Sequence, residues 1–467
     1  MNRLNQRINH LLRRLKQSAI SRWNRVWLTL SWSLIRGKLV MPSPVEELNF
    51  VSSGLFPSKY FDYYRLQEIN WFEAERISRA GNYHAAVRIR HEILEELYTF
   101  SEVTAPGYFP PVLGTQWTSN FGHLACLGHH VLAQKLGVIP EGRRYLITDG
   151  KSPNEQLLQS VSQNFTPVFQ PSGTRWSEAP SFWHFSERLR TVRGHSNFID
   201  LNELFDTIFI SSNYQKLVSE DFFLKLDLEY TESARIQLES MGLPRNAKFV
   251  VLHVRESIDI TDPRTQPLDS FFDAVNEITS QGFWVIRIGD RGMRKLPTSR
   301  MVIDLVGAIG AGANLHAYVL ANCLFFLGTA SGPSWVSRLY GQPSLLTNLN
   351  CVGIQANRAP KGSIHIPKRY IGRDKHELSL SELYSTGLAF GEMSLKELNV
   401  RGISQISNSP REILEATKEI LSNVSGCFSS KLQTEQLRIR EIREDFKSIA
   451  WGNFADSFIE ENPNWLR

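Results

Sequence analysis

Residues 323–348 read CLFFLGTASGPSWVSRLYGQPSLLTN. Leu324 to Leu327 form a short apolar run of the kind that fills a buried strand. A Gly/Thr/Ser/Pro cluster stops it, and an amphipathic segment follows from Trp335 to Tyr340. The pattern predicts strand, glycine-rich loop and helix. Gly328 and Gly332 let backbone approach a ligand, Ser331 suits the helix cap, and Pro333 suits a first turn where no N–H is needed. Free N–H groups with the helix dipole behind them make an anion site. Gly341-Gln342-Pro343 then turns the chain into a second apolar strand, Ser344 to Leu346, ending at Thr347-Asn348, so that two strand ends flank one loop. An α/β crossover that binds nothing would use the same residue types, and the decision rests on the rest of the chain.

Strand and helix alternate at crossover spacing through the preceding hundred residues or so. Lys248 to Val254 reads as a buried strand, Leu268 to Ser280 as a helix, Phe283 to Ile288 and Met301 to Asp304 as strands, and Asn314 to Ala321 as a helix. A parallel sheet with helices on both faces is expected, with ligands beyond the carboxyl ends of its strands. The first strand ends in His253-Val254-Arg255-Glu256-Ser257, where alternation puts His253 and Arg255 on one face. A guanidinium offers forked donors for two phosphate oxygens, although a pairing of Arg255 with a local carboxylate such as Glu256 would also account for it. Arg287 and Asp290 close the strand at 283–288, in position to frame a base or ribose.

Three segments together, HVRES, WVIRIGD and the stretch quoted above, resemble a family of bacterial glycosyltransferases with two Rossmann-like domains (GT-B). More distantly they are similar to ADP-heptose transferases and protein O-fucosyltransferases. The resemblance covers about residues 110–420 and is most specific over 248–348. It implies an α/β GT-B fold and transfer of a hexosyl, heptosyl or fucosyl unit from a nucleotide-diphosphate sugar to a cell-surface glycan or glycolipid. Inversion at the anomeric carbon is part of the same implication. By resemblance, His253 and Arg255 match one diphosphate-gripping element, and Thr329, Ser331, Gly332 and Ser334 match a second. Arg287, Asp290 and Asn348 complete the expected donor contacts. No separate cofactor is implied.

Earlier in the chain a first domain begins near Val112: 115–135 reads as a loop turning at Gly122 into a helix, with strands at Arg144–Thr148 and at Thr166–Phe169, and a helix over 154–161. Ser119-Asn120-Phe121-Gly122-His123-Leu124 is similar in placement to the first-domain glycine loop of those transferases. Heptosyltransferase-like enzymes carry an Asp base just after this glycine, whereas here the position holds His123. An imidazole titrates near neutrality and can take an acceptor proton. A helix-capping role is the alternative, and Asp259 and Asp262 compete as bases. His123, Cys126 and His130 share a helical face, but no fourth zinc ligand is evident. No Asp-x-Asp pair occurs, so a metal-independent reaction is expected, with the departing diphosphate met by Arg255, hydroxyls and helix N–H groups.

The chain has 467 residues, 42% of them hydrophobic, enough for two or three domains. Residues 1–45 hold nine Lys/Arg and no Asp/Glu, leaving 43 basic against all 47 acidic residues elsewhere. The body therefore lacks the basic footprint of a nucleic-acid binder. Leu4, Ile8, Leu11, Leu12 and Leu15 recur at helical spacing among arginines, with Trp23, Trp27 and Trp32 behind, as a helix on an anionic membrane surface requires. Docking of this helix on protein is the alternative. Four scattered cysteines and no run of ~20 apolar residues point to a reduced, cytoplasmic protein held peripherally at the inner face of the membrane.

The expected divisions are 1–45, a helical hairpin lead-in at 46–105, a first Rossmann-like acceptor domain at 106–240 with a mostly helical, polar bridge over 180–240, a nucleotide-sugar domain at 241–420, and a helical tail at 421–467, of a kind that often crosses back onto the first domain. A redox-assisted epimerase would need a G-x-G-x-x-G turn, which is missing. A catalytically silent scaffold that binds a nucleotide sugar or glycan at the membrane is the competing reading.

Overall fold

The computed structural model describes residues 112–113, 118, 121–137, 145–148, 152–162, 166–169, 187–188, 198–199, 208, 222–256, 262–308, 311–355, 359–389, 393–426, 431–442 and 452–466. The basic segment 1–45, the lead-in 46–105, Ser119, Asn120 and Asp259 lie outside them.

The first unit alternates β1 (Val112–Leu113), α1 (Phe121–Lys135), β2 (Tyr145–Thr148), α2 (Glu155–Val161) and β3 (Thr166–Phe169), with the three strands parallel in the order β1-β2-β3. Asn154 caps α2 by accepting the Leu157 N–H at 2.7 Å. Its amide nitrogen donates at 3.0 Å to the Ala313 carbonyl, which ties this unit to the next. The stretch 180–240, expected to be helical, also contains an antiparallel pair, β4 (Glu187–Arg188) with β5 (Phe198–Ile199), before α3 (Leu228–Ser240). Asp227 caps α3 through the Tyr230 N–H at 3.0 Å.

The second unit is built on β6 (Phe249–His253), α4 (Phe272–Ser280, after a 3-10 turn), β7 (Trp284–Arg287), β8 (Val302–Asp304) and α5 (Ala311–Asn322). It continues through β9 (Phe326–Thr329), α6 (Gly332–Leu339), β10 (Ser344–Leu349), α7 (Val352–Gln355) and β11 (Ile364–Pro367). β12 (Arg369–Ile371) pairs antiparallel with β13 (Ser404–Ile406) around α8 (Leu380–Ser385) and α9 (Leu395–Arg401). α10 (Pro410–Val424), α11 (Gln433–Glu441), β14 (Asn453–Phe454) and α12 (Asp456–Glu461) follow. Seven parallel strands run β14-β11-β10-β9-β6-β7-β8.

Chain direction across this sheet reverses between β6 and β9. α4 packs with α10, and α5 packs with α6. Every residue of β6, β9, β10 and β11 is buried, which explains their unbroken apolar runs. The carboxyl ends of β6 and β9 border the crevice where an open α/β sheet takes its ligand.

Two differences from the sequence expectation concern the C-terminus and the helix α1. Among the described residues, the tail builds on the second unit. There β14 pairs with β11, α12 packs on α10, and Trp465 is buried against Phe454 and Phe458 at ring-centroid distances of 5.0 and 5.3 Å. Its aromatic content is core for the second sheet. Meanwhile α1 of the first unit packs directly on α6. Small residues make this approach possible, since a Cβ on Gly128 would fall 2.4 Å from a Leu339 methyl. Trp335 of α6 meets the His129 ring edge-on at 5.7 Å, and the buried Arg338 guanidinium lies 4.5 Å over its indole, where the π-face helps to hold a desolvated cation.

Candidate active site

At the centre of the crevice β6 and β9 touch so closely that only glycine fits. Gly328 has φ 155°, and a Cβ there would lie 1.9 Å from the His253 carbonyl oxygen. One residue on, the Thr329 hydroxyl accepts the Arg255 N–H at 3.2 Å, fixing the backbone from which the guanidinium departs. His253 is 5% exposed and its Nδ1 has no hydrogen-bond partner. Burial, then the Arg287 and Arg255 charges, push the imidazole down to about 3, so it is neutral at physiological pH.

Beyond β9, Ser331 takes the N-cap of α6 with Pro333 in the first turn. The Ser334 hydroxyl accepts the Ser331 N–H at 3.2 Å and donates to its carbonyl at 2.7 Å, so it completes the turn. The Ser331 hydroxyl oxygen is buried and faces the Ser334 N–H across the capping box, but no partner meets it in hydrogen-bonding geometry. Directly opposite stands the start of α1: a Cβ on Gly332 would meet the Gly122 nitrogen at 2.8 Å. The N-terminus of α6, carrying roughly half a positive charge, therefore abuts the backbone of α1. It has no acidic residue in its first turn to offset that potential. An anion would.

Arg255, one-third exposed, pairs with Asp262 (Nε to carboxylate, 2.9 Å) and not with Glu256. Arg264 binds the same carboxylate through Nε and Nη2 at 3.0 and 3.1 Å. Burial alone would raise the Asp262 pKa. The Arg264 side-chain and backbone hydrogen bonds, with that from Arg255, outweigh it and hold the carboxyl down at about 2. Such a carboxylate is suited to orienting guanidiniums, and taking a substrate proton would cost it both pairs.

Arg287 is fully buried, with Nη2 3.6 Å from Glu256 and 3.5 and 3.4 Å from the Val254 and Arg294 carbonyls. It ties together the loops after β6 and β7. Asp290 is exposed beyond the same strand. Asn348, at φ 52°, exchanges hydrogen bonds with Asn408: its N–H donates to the Asn408 side-chain oxygen at 2.5 Å, and its own oxygen accepts the Asn408 N–H at 2.7 Å. It sits in a bulge of β10, where Leu346 pairs with His365 but Leu349 pairs with Pro367.

No protein-family model matches the chain, and neither does any curated protein sequence. Solved structures do. E. coli ADP-heptose LPS heptosyltransferase II is 13% identical over 64% of this chain and 81% of its own, with a TM-score of 0.32. The family 9 glycosyl transferase from Veillonella parvula is 14% identical over 64% and 78%, with a TM-score of 0.29. The wall teichoic acid polymerase TagF is 11% identical over 60% and 79%, with a TM-score of 0.23.

Of the residues singled out by sequence, the fold gathers His253, Arg255, Asp262, Thr329, Ser331, Gly332 and Ser334 at the ends of β6 and β9. His123, third residue of α1 and half-buried, is brought in through its neighbour Gly122. Arg287 and Asn348 serve the walls, through the loop ties and the bulge just described. Among the described residues no three His, Cys, Asp or Glu side chains are grouped to hold a metal ion, and His123, Cys126 and His130 form no such set. Sequence reading missed Lys368, which is 1% exposed and donates to the Pro263 carbonyl beside Asp262. Nothing local marks it, because its role depends on a loop about a hundred residues away.

Proposed function

We propose that the protein is a GT-B glycosyltransferase that takes a sugar from a nucleoside-diphosphate donor at the carboxyl ends of β6 and β9. The acceptor is a hydroxyl of a glycan or glycolipid, presented across a cleft by the first unit, and the basic segment 1–45 holds the enzyme at the inner face of the membrane. The observation that carries this reading is the buried, partnerless Ser331 hydroxyl at the N-terminus of α6, where Gly332 meets the backbone of Gly122. A diphosphate would satisfy that hydroxyl, the Gly332 N–H and the exposed edge of Arg255 together.

In the proposed step His123 takes the proton of the acceptor hydroxyl, whose oxygen attacks the anomeric carbon from the face opposite the leaving group. The bond from that carbon to the diphosphate breaks, and the configuration inverts. Charge growing on the departing diphosphate meets Arg255, the Ser331 and Thr329 hydroxyls and the Gly332 N–H, positive groups that need no reorganisation. Asp262 keeps Arg255 oriented. Positive potential supplied by these groups makes the reading a metal-independent one.

A thermal-shift titration of the full chain with UDP, GDP, ADP, CMP and TDP tests it. A ligand at 100 times its Kd stabilises the native state by about 2.7 kcal/mol. One of the five raises the wild-type transition and loses its effect in Arg255→Ala, after which the matching sugar nucleotides are assayed for transfer and the product anomer is read by NMR. If none shifts the wild type, with or without a divalent cation, the donor site is refuted.

A further inference from the structure

Lys368 follows β11 directly, and its N–H donates to the Leu349 carbonyl at 3.0 Å, seating it at the ends of β10 and β11. Its ammonium reaches the carbonyl of Pro263, in the segment that follows β6. β9 and β10 lie between β6 and β11. Three strand spacings amount to about 14 Å, more than a lysine side chain spans, so the segment 262–266 itself leans over the ends of β9 and β10. The other end of that segment is tied back where the Gln266 N–H donates to the Arg255 carbonyl at 2.9 Å. It thus arches over the anion site, held at Arg255 on one side and at Lys368 on the other.

Burying an ammonium on one carbonyl and one nearby carboxylate is costly, and an apolar side chain would pack there without that cost. Desolvation pushes Lys368 down to about 8 against the opposing pull of Asp262. The charged groups bearing on it are Asp262 and, across that carboxylate, Arg255 and Arg264. The adjacent Arg369 turns its guanidinium toward Glu377 and Glu412, at 3.5 and 3.9 Å. The underside of the arch keeps unmet polar atoms: the Thr265 hydroxyl and the Gln266 amide nitrogen are buried without partners.

We propose that Lys368 is a positioning residue for the anion site: by gripping Pro263 it fixes Asp262, and through Asp262 the guanidinium of Arg255, above the ends of β9 and β10. This rests on the reading of Arg255 as a diphosphate contact.

Two measurements on the full chain, wild type and Lys368→Met, test it. The first is hydrogen exchange of the 262–268 segment without ligand. Exchange is expected to accelerate tenfold or more in the variant while β6 and β9 stay protected. The second is titration with inorganic diphosphate and with the nucleoside diphosphates at about pH 7.5 and about pH 9. Wild-type affinity is expected to fall several-fold over that interval as the ammonium loses its proton, whereas Lys368→Met binds about tenfold more weakly at the lower pH and shows no such fall. A merely structural lysine would not produce that difference in pH profile. Unchanged exchange at 262–268 overturns the strut whatever binds. Equal affinity and equal pH profiles in the two proteins overturn the positioning role. Accelerated exchange with no diphosphate bound by the wild type supports the strut and refutes the anion-site reading instead.

Discussion

Gly332 rests against the backbone of Gly122: a Cβ on Gly332 would come within 2.8 Å of the Gly122 nitrogen and 3.0 Å of its Cα. Backbone cannot swing aside as a side chain can, so Gly332→Ala must push α6 off α1. Overpacking of this kind costs about 1–3 kcal/mol, read by urea denaturation. The same variant is expected to lose most of its diphosphate-induced thermal shift, because the N-terminus of α6 is displaced from its seat on α1. A variant of full stability and full shift would show that this contact does not position the site.

Gly328→Ala is expected to be more damaging. Its Cβ would overlap the His253 carbonyl at 1.9 Å in the middle of the sheet, at a φ of 155° that side chains avoid. A loss of roughly 4 kcal/mol or more places it among the severe backbone effects, measurable as insolubility or a collapsed denaturation midpoint.

Ser331 and Ser334 stand three residues apart and should respond in opposite senses. Ser331→Ala removes a buried hydroxyl that has no partner, so the free protein is expected to hold or gain up to about 1 kcal/mol while diphosphate affinity falls about tenfold. Ser334→Ala loses both hydrogen bonds that close the first turn of α6 and is expected to cost about 1 kcal/mol, as lost helix caps do. Calorimetric unfolding beside a binding titration separates the two.

His253 predicts an acid sensitivity. Its pKa falls from 6.5 to about 3 on folding. Between those values the unfolded chain holds a proton that the native chain does not, so stability is intact above about 6.5 and declines as pH drops toward 3. From about pH 7 to about pH 5 the linked loss is about 2 kcal/mol. His253→Gln is expected to lose that much less over the same interval, and parallel curves for the two proteins would refute the assignment.

Much of the second unit was legible because its strands are buried on both faces. FVVLH and the apolar run before Gly328 need no partner to be recognised, although β9 lies two residues nearer the loop than the run implied. Ser379-x-x-Glu382 and Ser394-x-x-Glu397 are equally local signals, each closing a capping box at the start of α8 and α9, and both went unread. β14 is two residues long and could not be read at all, since its strand character comes from pairing with β11. The site divides the same way. Arg255 and Ser331 announce themselves at a strand end and a helix cap, whereas Asn348 takes its meaning from Asn408, 60 residues away, and Lys368 from Pro263.

The bulge in β10 makes this strand sensitive to length in a way that composition does not show. Three steps from Leu346 to Leu349 match two on the neighbouring strand, from His365 to Pro367. Deleting one residue there would let the pairing run on with every later residue still opposite its present partner, but it would remove the turn at which Asn348 takes φ 52° and exchanges hydrogen bonds with Asn408. The cost of a single-codon deletion in β10 would therefore fall on the tie to the loop before α10, while the strand order around it is kept.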